Sequence, residues 1–285
     1  MIPSSFDYHK ATSVEDAVSA LAGGGEDAKV LGGGQSLLPV LRLRLNAPSL
    51  VVDVSEVAAM RAVTVEGDTL VIGAAVTTHE VCHHPLVAAH APLLATTAAT
   101  VADPAIRHRG TLGGSIAHAD PAGDLPTVAA ALDATMVAQG PGGRRSIAAA
   151  DFFTDYFTTA LAPDEVLVEV RVPVMGDGWA VDYQKFHRTA QAWAIVGVAA
   201  AVRRDNGHIA EARVALTNMA ATPVRARGVE EALAGAAATD TAIADAASHA
   251  AEGTSPTSDL HAAADYREHL AKVLTGRAVR AAAGL

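Results

Sequence analysis

Two glycine-rich segments carry the residue types that bind phosphate groups. The first has the sequence LGGGQS over residues 31–36, and the second has the sequence GTLGGS over residues 110–115. Consecutive glycines tolerate positive φ and lack a Cβ, so successive backbone N–H groups can turn towards one anionic oxygen, and nearby hydroxyls add donors. One glycine triplet alone is more typical of a flexible turn. Two such segments together favour a diphosphate that is held from both sides.

Neither segment matches the common nucleotide-binding motifs. The dinucleotide motif G-x-G-x-x-G opens a helix and is followed by an acidic residue, and a P-loop needs Gly-Lys-Ser/Thr after its glycines. A third segment, HEVCH at residues 79–83, has the letters of the zinc signature H-E-x-x-H. That signature needs a stable helix and a third ligand. Because Pro85 leaves barely two turns, we interpret the segment as a surface helix and predict no metal site.

Five further residues are candidates whose role their type alone leaves open. Asp124 could cap a helix or accept a hydrogen bond from a ligand hydroxyl. Strand alternation places Lys185 and His187 on one face of a strand over residues 183–188 and Arg188 on the other, where a solvated face is the simpler interpretation. Trp193 is either a core residue or a ring that stacks on a planar cofactor.

The composition excludes several classes of protein. The chain has 285 residues, a formal charge of −10 and one cysteine, so it can form neither an internal disulfide nor an iron-sulfur cluster of its own. Any iron-sulfur electron partner must be another chain. The acidic balance argues against nucleic-acid binding. We find no transmembrane segment and no targeting sequence, and therefore expect a cytoplasmic protein.

The hydrophobic pattern predicts the elements that position these residues. A helix capped by Ser13 precedes short strands, and proline-interrupted helices over residues 78–102 lead into a long polar loop over 103–126. A domain boundary is expected at 173–178, after which an α+β region follows with a buried strand over 192–202 and a hairpin turn at Asn206-Gly207. The expected strands before the boundary are 28–31, 50–54, 61–65, 69–73, 135–138 and 166–172, and the expected C-terminal helices are 224–233, 242–250 and 260–282.

With these segments in view, the chain is similar to the FAD-binding medium subunits of the molybdenum hydroxylases, the xanthine dehydrogenase family. Within that family it most resembles the medium subunits of aerobic carbon monoxide dehydrogenases. The resemblance covers essentially the whole length and is carried by four segments: GGGQSLLPVLRLRL, DPAIRHRGTLGGSIAHADPAGDLP, YQKFHRTAQAWAIVGVAAAV and DYREHLAKVLTGRAV.

The resemblance implies an α+β fold in which two subdomains form an FAD-binding fold of the PCMH type, similar to vanillyl-alcohol oxidase. A C-terminal α+β domain with an antiparallel sheet and helices follows. The expected boundaries are 1–57, 58–176 and 177–285. The FAD-binding residues implied are Leu31, Gly32, Gly33, Gly34, Gln35, Ser36, Leu37, Thr111, Gly113, Gly114, Ser115, Asp124, Leu167, Lys185 and Trp193.

The resemblance also implies a function without catalytic side chains on this chain. Electrons would pass from 2Fe-2S clusters on a small subunit to this FAD and on to an external acceptor such as quinone, while a molybdenum cofactor on a large subunit oxidises the substrate. The expected assembly is a dimer of heterotrimers, cytoplasmic or held at the inner face of a membrane through a partner. Carbon monoxide is the leading substrate, and aldehydes, purines and N-heterocycles are the alternative substrates. Two alternative functions are a stand-alone flavin dehydrogenase and a flavin-free assembly protein.

Two residues depart from the family pattern beside the flavin site. His108 stands where the family commonly has asparagine, and Ala192 stands where an acidic residue often precedes the aromatic residue. Neither lies in the glycine segments, so FAD binding itself remains the expectation.

Overall fold

The N-terminal part of the chain forms a small parallel sheet with one helix packed on it. A computed structural model describes residues 2–285, so Met1 of the predicted first subdomain lies outside it. The strand order is β1-β3-β2. The Ser13 side chain accepts a hydrogen bond from Asp16 N at 3.1 Å and starts the predicted helix. The elements are β1 Asp7–Lys10, α1 Val14–Gly24, β2 Ala28–Leu31, α2 Leu37–Arg42 and β3 Leu50–Asp53.

The middle part of the chain is built on a five-stranded antiparallel sheet of order β4-β5-β10-β6-β7. Six helices follow one another in the sequence between β5 and β6. Pro85 and Pro92 each occupy the first turn of a helix, as the divided helical pattern predicted. The strands are β4 Val63–Glu66, β5 Thr69–Gly73, β6 Thr135–Gly140, β7 Gly143–Ala148, β8 Phe153–Asp155, β9 Thr158–Thr159 and β10 Val166–Pro173. The helices are α3 Thr78–His83, α4 Pro85–His90, α5 Pro92–Ala99, α6 Pro104–Arg107, α7 Leu112–His118, α8 Asp124–Ala131 and α9 Ala149–Phe152.

The C-terminal part is an antiparallel sheet of order β11-β12-β13-β14 with helices on one face, which confirms the predicted α+β class and sheet type. Asn206 and Gly207 form the hairpin turn between β12 and β13, both with positive φ. Among residues 2–285, no helix has both the length and the apolar composition that crossing a bilayer requires. The elements are β11 Trp179–Phe186, β12 Val196–Asp205, β13 His208–Thr217, β14 Val224–Arg225, α10 Arg227–Leu233, α11 Asp240–Ala247 and α12 Ala264–Ala283.

Strand β12 is buried on both of its faces, which explains its unbroken apolar sequence. Val198, Ala200 and Val202 belong to a core shared with the C-terminal helices, whereas Ala199 and Ala201 belong to the core of the rest of the chain. The β12 side chains that belong to the second of these cores are alanines. This allows helices α5 and α8 to approach the sheet closely.

Several predicted boundaries were wrong. The long loop expected over residues 103–126 contains α6 and α7 and the start of α8. Asp103 and Thr111 cap α6 and α7, whose glycine and proline residues had favoured a loop prediction. The strand expected to include His187 and Arg188 ends at Phe186, and the strand expected from Ala192 begins at Val196. Of the last three helices, the first and third begin later than predicted, at Arg227 and Ala264. The second spans Asp240–Ala247, so it begins two residues earlier and ends three residues earlier than predicted.

Candidate cofactor site

The two glycine segments lie in direct contact. A Cβ added to Gly33 would stand 1.8 Å from Arg109 O, and one added to Gly32 would stand 2.8 Å from Thr111 Oγ1. The first distance is far below any van der Waals contact with backbone, so residue 33 must be glycine for the segments to meet. The fold thus brings together two segments that are widely separated in sequence, as the diphosphate hypothesis requires.

The first segment presents a row of unused backbone donors. Within residues 2–285, none of the N–H groups of residues 32–36 finds an acceptor, and Gly34 adopts a φ of +75° that favours glycine. The Ser36 hydroxyl also has no partner among these residues, while the Gln35 side chain donates to Gly33 O at 3.4 Å. Such orphan donors next to glycines without Cβ atoms form a concave site for an anion. The residues present therefore fit the pyrophosphate of FAD.

The second segment is the start of helix α7, and its backbone donors are mostly used within the protein. Thr111 is the N-cap and accepts from Gly114 N at 3.0 Å, while Gly113 N donates to Ala74 O at 2.9 Å. Gly113 also packs so closely that a Cβ would lie 2.4 Å from the Ala74 Cβ. This segment can therefore offer hydroxyl groups, from Thr111 and Ser115, rather than a row of N–H groups.

Asp124 and Lys185 form a buried ion pair between helix α8 and strand β11. The Lys185 Nζ lies 2.7 Å from Asp124 Oδ2, and the two side chains are 5% and 4% exposed. The Tyr183 hydroxyl donates to Asp124 Oδ1 at 2.7 Å. Burial raises the pKa of Asp124, against the opposing effects of Lys185 and Tyr183. Burial likewise raises the pKa of Tyr183 well above its ordinary value, so it acts as a hydrogen-bond donor.

Leu167 and Trp193, the two apolar candidates, lie in different environments. Leu167 is 6% exposed on β10 next to an irregularity in the pairing with β6. Trp193 is 58% exposed on the loop between β11 and β12, and within residues 2–285 no aromatic ring or cation packs on its face. This loop is fixed at its end by Asn218, whose side chain donates to Ala194 O at 2.8 Å. The exposed ring is free to take a planar partner.

The segment with the zinc-signature letters is used for structure. Glu80 forms a capping box with Thr77, accepting from Thr77 N at 2.8 Å, and also lies 3.1 Å from Arg61. The His79 ring stacks on His108 with centroids 3.8 Å apart. Burial and then the neighbouring histidines lower the pKa of His79. In the described part of the chain, no group of three or more His, Cys, Asp or Glu side chains is arranged to hold a metal ion.

Sequence reasoning missed Tyr183 and the two threonines that adjoin it. Thr217 Oγ1 lies 3.1 Å from the Tyr183 hydroxyl and 2.8 Å from Thr127 Oγ1. One signal was present, because Tyr183 stands two residues before Lys185 and therefore on the same face of the strand. No signal in the sequence pointed to the threonines, which come from β13 and α8.

Comparisons with known proteins find two family matches that together cover most of the chain. Residues 4–175 match the family described as FAD binding domain in molybdopterin dehydrogenase, and residues 182–282 match the CO dehydrogenase flavoprotein C-terminal domain. The carbon monoxide dehydrogenase medium chain of Hydrogenophaga pseudoflava is 41% identical, covering 99% of this chain and 98% of that relative.

Two solved structures show how far the similarity extends. Carbon monoxide dehydrogenase from Hydrogenophaga pseudoflava, in a form that lacks the Mo-pyranopterin moiety of the molybdenum cofactor, aligns with a TM-score of 0.96 at 42% identity, over 99% of this chain and 98% of that one. Quinoline 2-oxidoreductase from Pseudomonas putida 86 aligns with a TM-score of 0.95 at 36% identity, over 100% and 99%. The fold is therefore shared by relatives with different substrates.

Proposed function

The chain belongs to the family of FAD-binding subunits of the molybdopterin dehydrogenases, and from that premise we propose that it is the electron-transferring medium subunit of a carbon monoxide dehydrogenase. One observation supports this above the others, namely the 41% identity to a carbon monoxide dehydrogenase medium chain over nearly the full length of both chains. The contact between the two glycine segments supports the cofactor assignment independently.

FAD would be held by the residues with unused donors. The N–H groups of residues 32–36 and the hydroxyls of Ser36, Thr111 and Ser115 would bind the pyrophosphate, with Leu31, Leu37 and Gly113 shaping the turn. Asp124, Leu167, Lys185 and Trp193 would lie towards the ribityl chain and the ring. When bound, the flavin accepts electrons one at a time from clusters and passes them on in pairs, which is the chemistry of this subunit.

The chain's own residues bind, orient and tune rather than catalyse. Among residues 2–285, no nucleophile is paired with a general base at the site. Lys185 is the one cation buried there, and a fixed positive charge next to a cofactor favours its more negatively charged state. The proposed role of the protein is therefore to hold the cofactor at a set place and potential.

The partners and location follow from the same proposal. A large subunit would carry the molybdenum cofactor and a small subunit two 2Fe-2S clusters, assembled as a dimer of heterotrimers. The complex would be cytoplasmic, associate with the inner face of the membrane through a partner, and deliver electrons to quinone. We also propose subdomains 1–57, 58–176 and 177–285, the first two of which would enclose the FAD.

Purification of the native protein tests the proposal. We expect the chain to elute with FAD, molybdenum and iron, and the complex to reduce an artificial acceptor when carbon monoxide is supplied. Complex from cells grown without molybdenum is the control, which should retain flavin but lose this activity. If the complex reduces the acceptor with an aldehyde, a purine or an N-heterocycle but not with carbon monoxide, that compound class is the substrate instead. A flavin-only chain that turns over a substrate by itself would refute the subunit role.

A further inference from the structure

A chain of buried hydroxyl groups ends on the Asp124 carboxylate. Thr127, Thr217 and Tyr183 follow one another at 2.8 and 3.1 Å, and Tyr183 reaches Asp124 at 2.7 Å. The two threonines are 0% exposed and Tyr183 is 7% exposed. Because a carboxylate cannot donate, Tyr183 uses its single proton on Asp124. Thr217 gives its own proton to Thr127, and its oxygen lies against the Tyr183 oxygen at 3.1 Å.

Gly197 leaves room for the contact between these buried hydroxyl groups. A Cβ added to Gly197 would lie 2.6 Å from the Tyr183 hydroxyl and 2.9 Å from Thr217 Oγ1. Gly197 pairs with Lys185 on β11 and with Thr217 on β13. A side chain here would separate the two hydroxyls, so the glycine makes their contact possible.

Lys185 holds the opposite end of the pair. Its ammonium group has three protons, of which one goes to Asp124 Oδ2 at 2.7 Å and a second reaches Thr100 O at 3.4 Å. Within residues 2–285 the third proton has no acceptor, which leaves one donor for a ligand. The direction of this third N–H depends on where Asp124 holds the Lys185 Nζ.

We infer that Tyr183 is a positioning residue for the cofactor, acting through Asp124 on Lys185. By donating to Asp124 it keeps the carboxylate ionised and in one orientation, and the carboxylate in turn fixes the ammonium group of Lys185. The inference rests on the proposed function, because it takes FAD as the ligand that Lys185 meets. Thr217 supports Tyr183 from behind and has a smaller effect.

The electrostatics give the expected direction. Burial raises the pKa of Asp124, and the Tyr183 hydrogen bond is one of the interactions that oppose the rise. Loss of the hydroxyl in Tyr183→Phe therefore raises the pKa of Asp124 further, and we expect protons to bind there about tenfold more tightly, as for one hydrogen bond to a charged group. Once Asp124 is protonated, Lys185 loses its partner and is free to move.

Two measurements on the full-length chain, purified together with the subunits that copurify with it, test this inference. The first is the flavin midpoint potential as a function of pH. On acidification, we expect the change in midpoint potential to begin at a higher pH in Tyr183→Phe than in wild type. Thr217→Val should show a smaller shift in the same direction. The second is the melting temperature of the flavin-free chain against pH, where the difference from wild type should shrink as the pH falls.

Thr275→Val is the matched control, because the Thr275 hydroxyl is buried in α12 and has no hydrogen-bond partner within residues 2–285. Its removal takes away one buried hydroxyl without touching the carboxylate. Identical pH profiles for Tyr183→Phe and wild type, or an equal change in Thr275→Val, would overturn the positioning role. If Tyr183→Phe does not fold, Thr217→Val decides in the same way. A wild-type complex without flavin would refute the proposed function itself.

Discussion

The substitution Gly33→Ala tests the contact between the two glycine segments most directly. A Cβ at this position would meet Arg109 O at 1.8 Å and the Gly110 Cα at 2.6 Å, and both atoms are backbone. Neither can rotate away as a side chain would. The variant therefore has to separate the segments or leave the first one displaced.

The size of the displacement follows from the geometry. Ordinary contact begins at 3.4 Å, so the Cβ and the Arg109 oxygen must move apart by about 1.6 Å (3.4 − 1.8). A phosphate hydrogen bond of about 2.9 Å that lengthens by this much is broken. Two such bonds to a charged group are worth at least about 3 kcal/mol, which weakens FAD binding roughly a hundredfold.

The assay is the flavin absorbance per chain after gel filtration, followed by titration of the stripped protein with FAD. We expect Gly33→Ala to lose its flavin on the column and to rebind it only at high FAD concentration. Gly23→Ala is the matched control, because its Cβ would meet nothing within 4 Å and its φ is ordinary. An affinity of Gly33→Ala within threefold of wild type would refute the assignment of this segment to the pyrophosphate.

Three further outcomes are expected. Gly114→Asp places a carboxylate beside Thr111 Oγ1, 2.8 Å from the new Cβ, and should abolish flavin retention by charge repulsion; unchanged flavin absorbance would contradict it. Arg267→Met removes a buried guanidinium that donates to Ile195 O and to Asp259, and should lower stability by about 2–3 kcal/mol in thermal unfolding, with Lys272→Met as an exposed control. The pKa of His79 lies below 6.5, so the unfolded chain binds this proton more readily and stability falls as the pH drops below 6.5; His108→Asn should reduce that loss in melting curves recorded against pH.

Local signals predicted the elements whose stability is local. The helix after Ser13 has a cap, a buried stripe and glycines at its end, and it forms as expected. Helix α7 was predicted as a loop because glycine costs about 1 kcal/mol in a helix interior. There the Thr111 cap and the close packing of Gly113 on Ala74 outweigh that cost. The packing partner lies far away in sequence, so propensity could not reveal it.

The candidate site divides in the same way. The glycine segments were recognisable because the residue types that bind phosphate are consecutive in the sequence. The premature end of β11 was not, since it depends on Ile195 N bonding back to Phe186 O at 2.8 Å across a loop. The Asp124 and Tyr183 pair joins residues that are 59 positions apart. A pattern within one strand could place Tyr183 beside Lys185 but could not name the carboxylate that both would meet.

The buried bridge between α8 and the C-terminal sheet sets an order of events during synthesis. Thr217 leaves the ribosome 93 residues after Asp124 (217 − 124), a delay of about 5–20 s at about 5–20 residues per second. Lys185 follows Asp124 by 61 residues (185 − 124), so Asp124 at first lacks its cation and then, until Thr217 emerges, still lacks the complete hydroxyl chain. The buried bridge at α8 is therefore complete only once strand β13 of the C-terminal sheet has been synthesised.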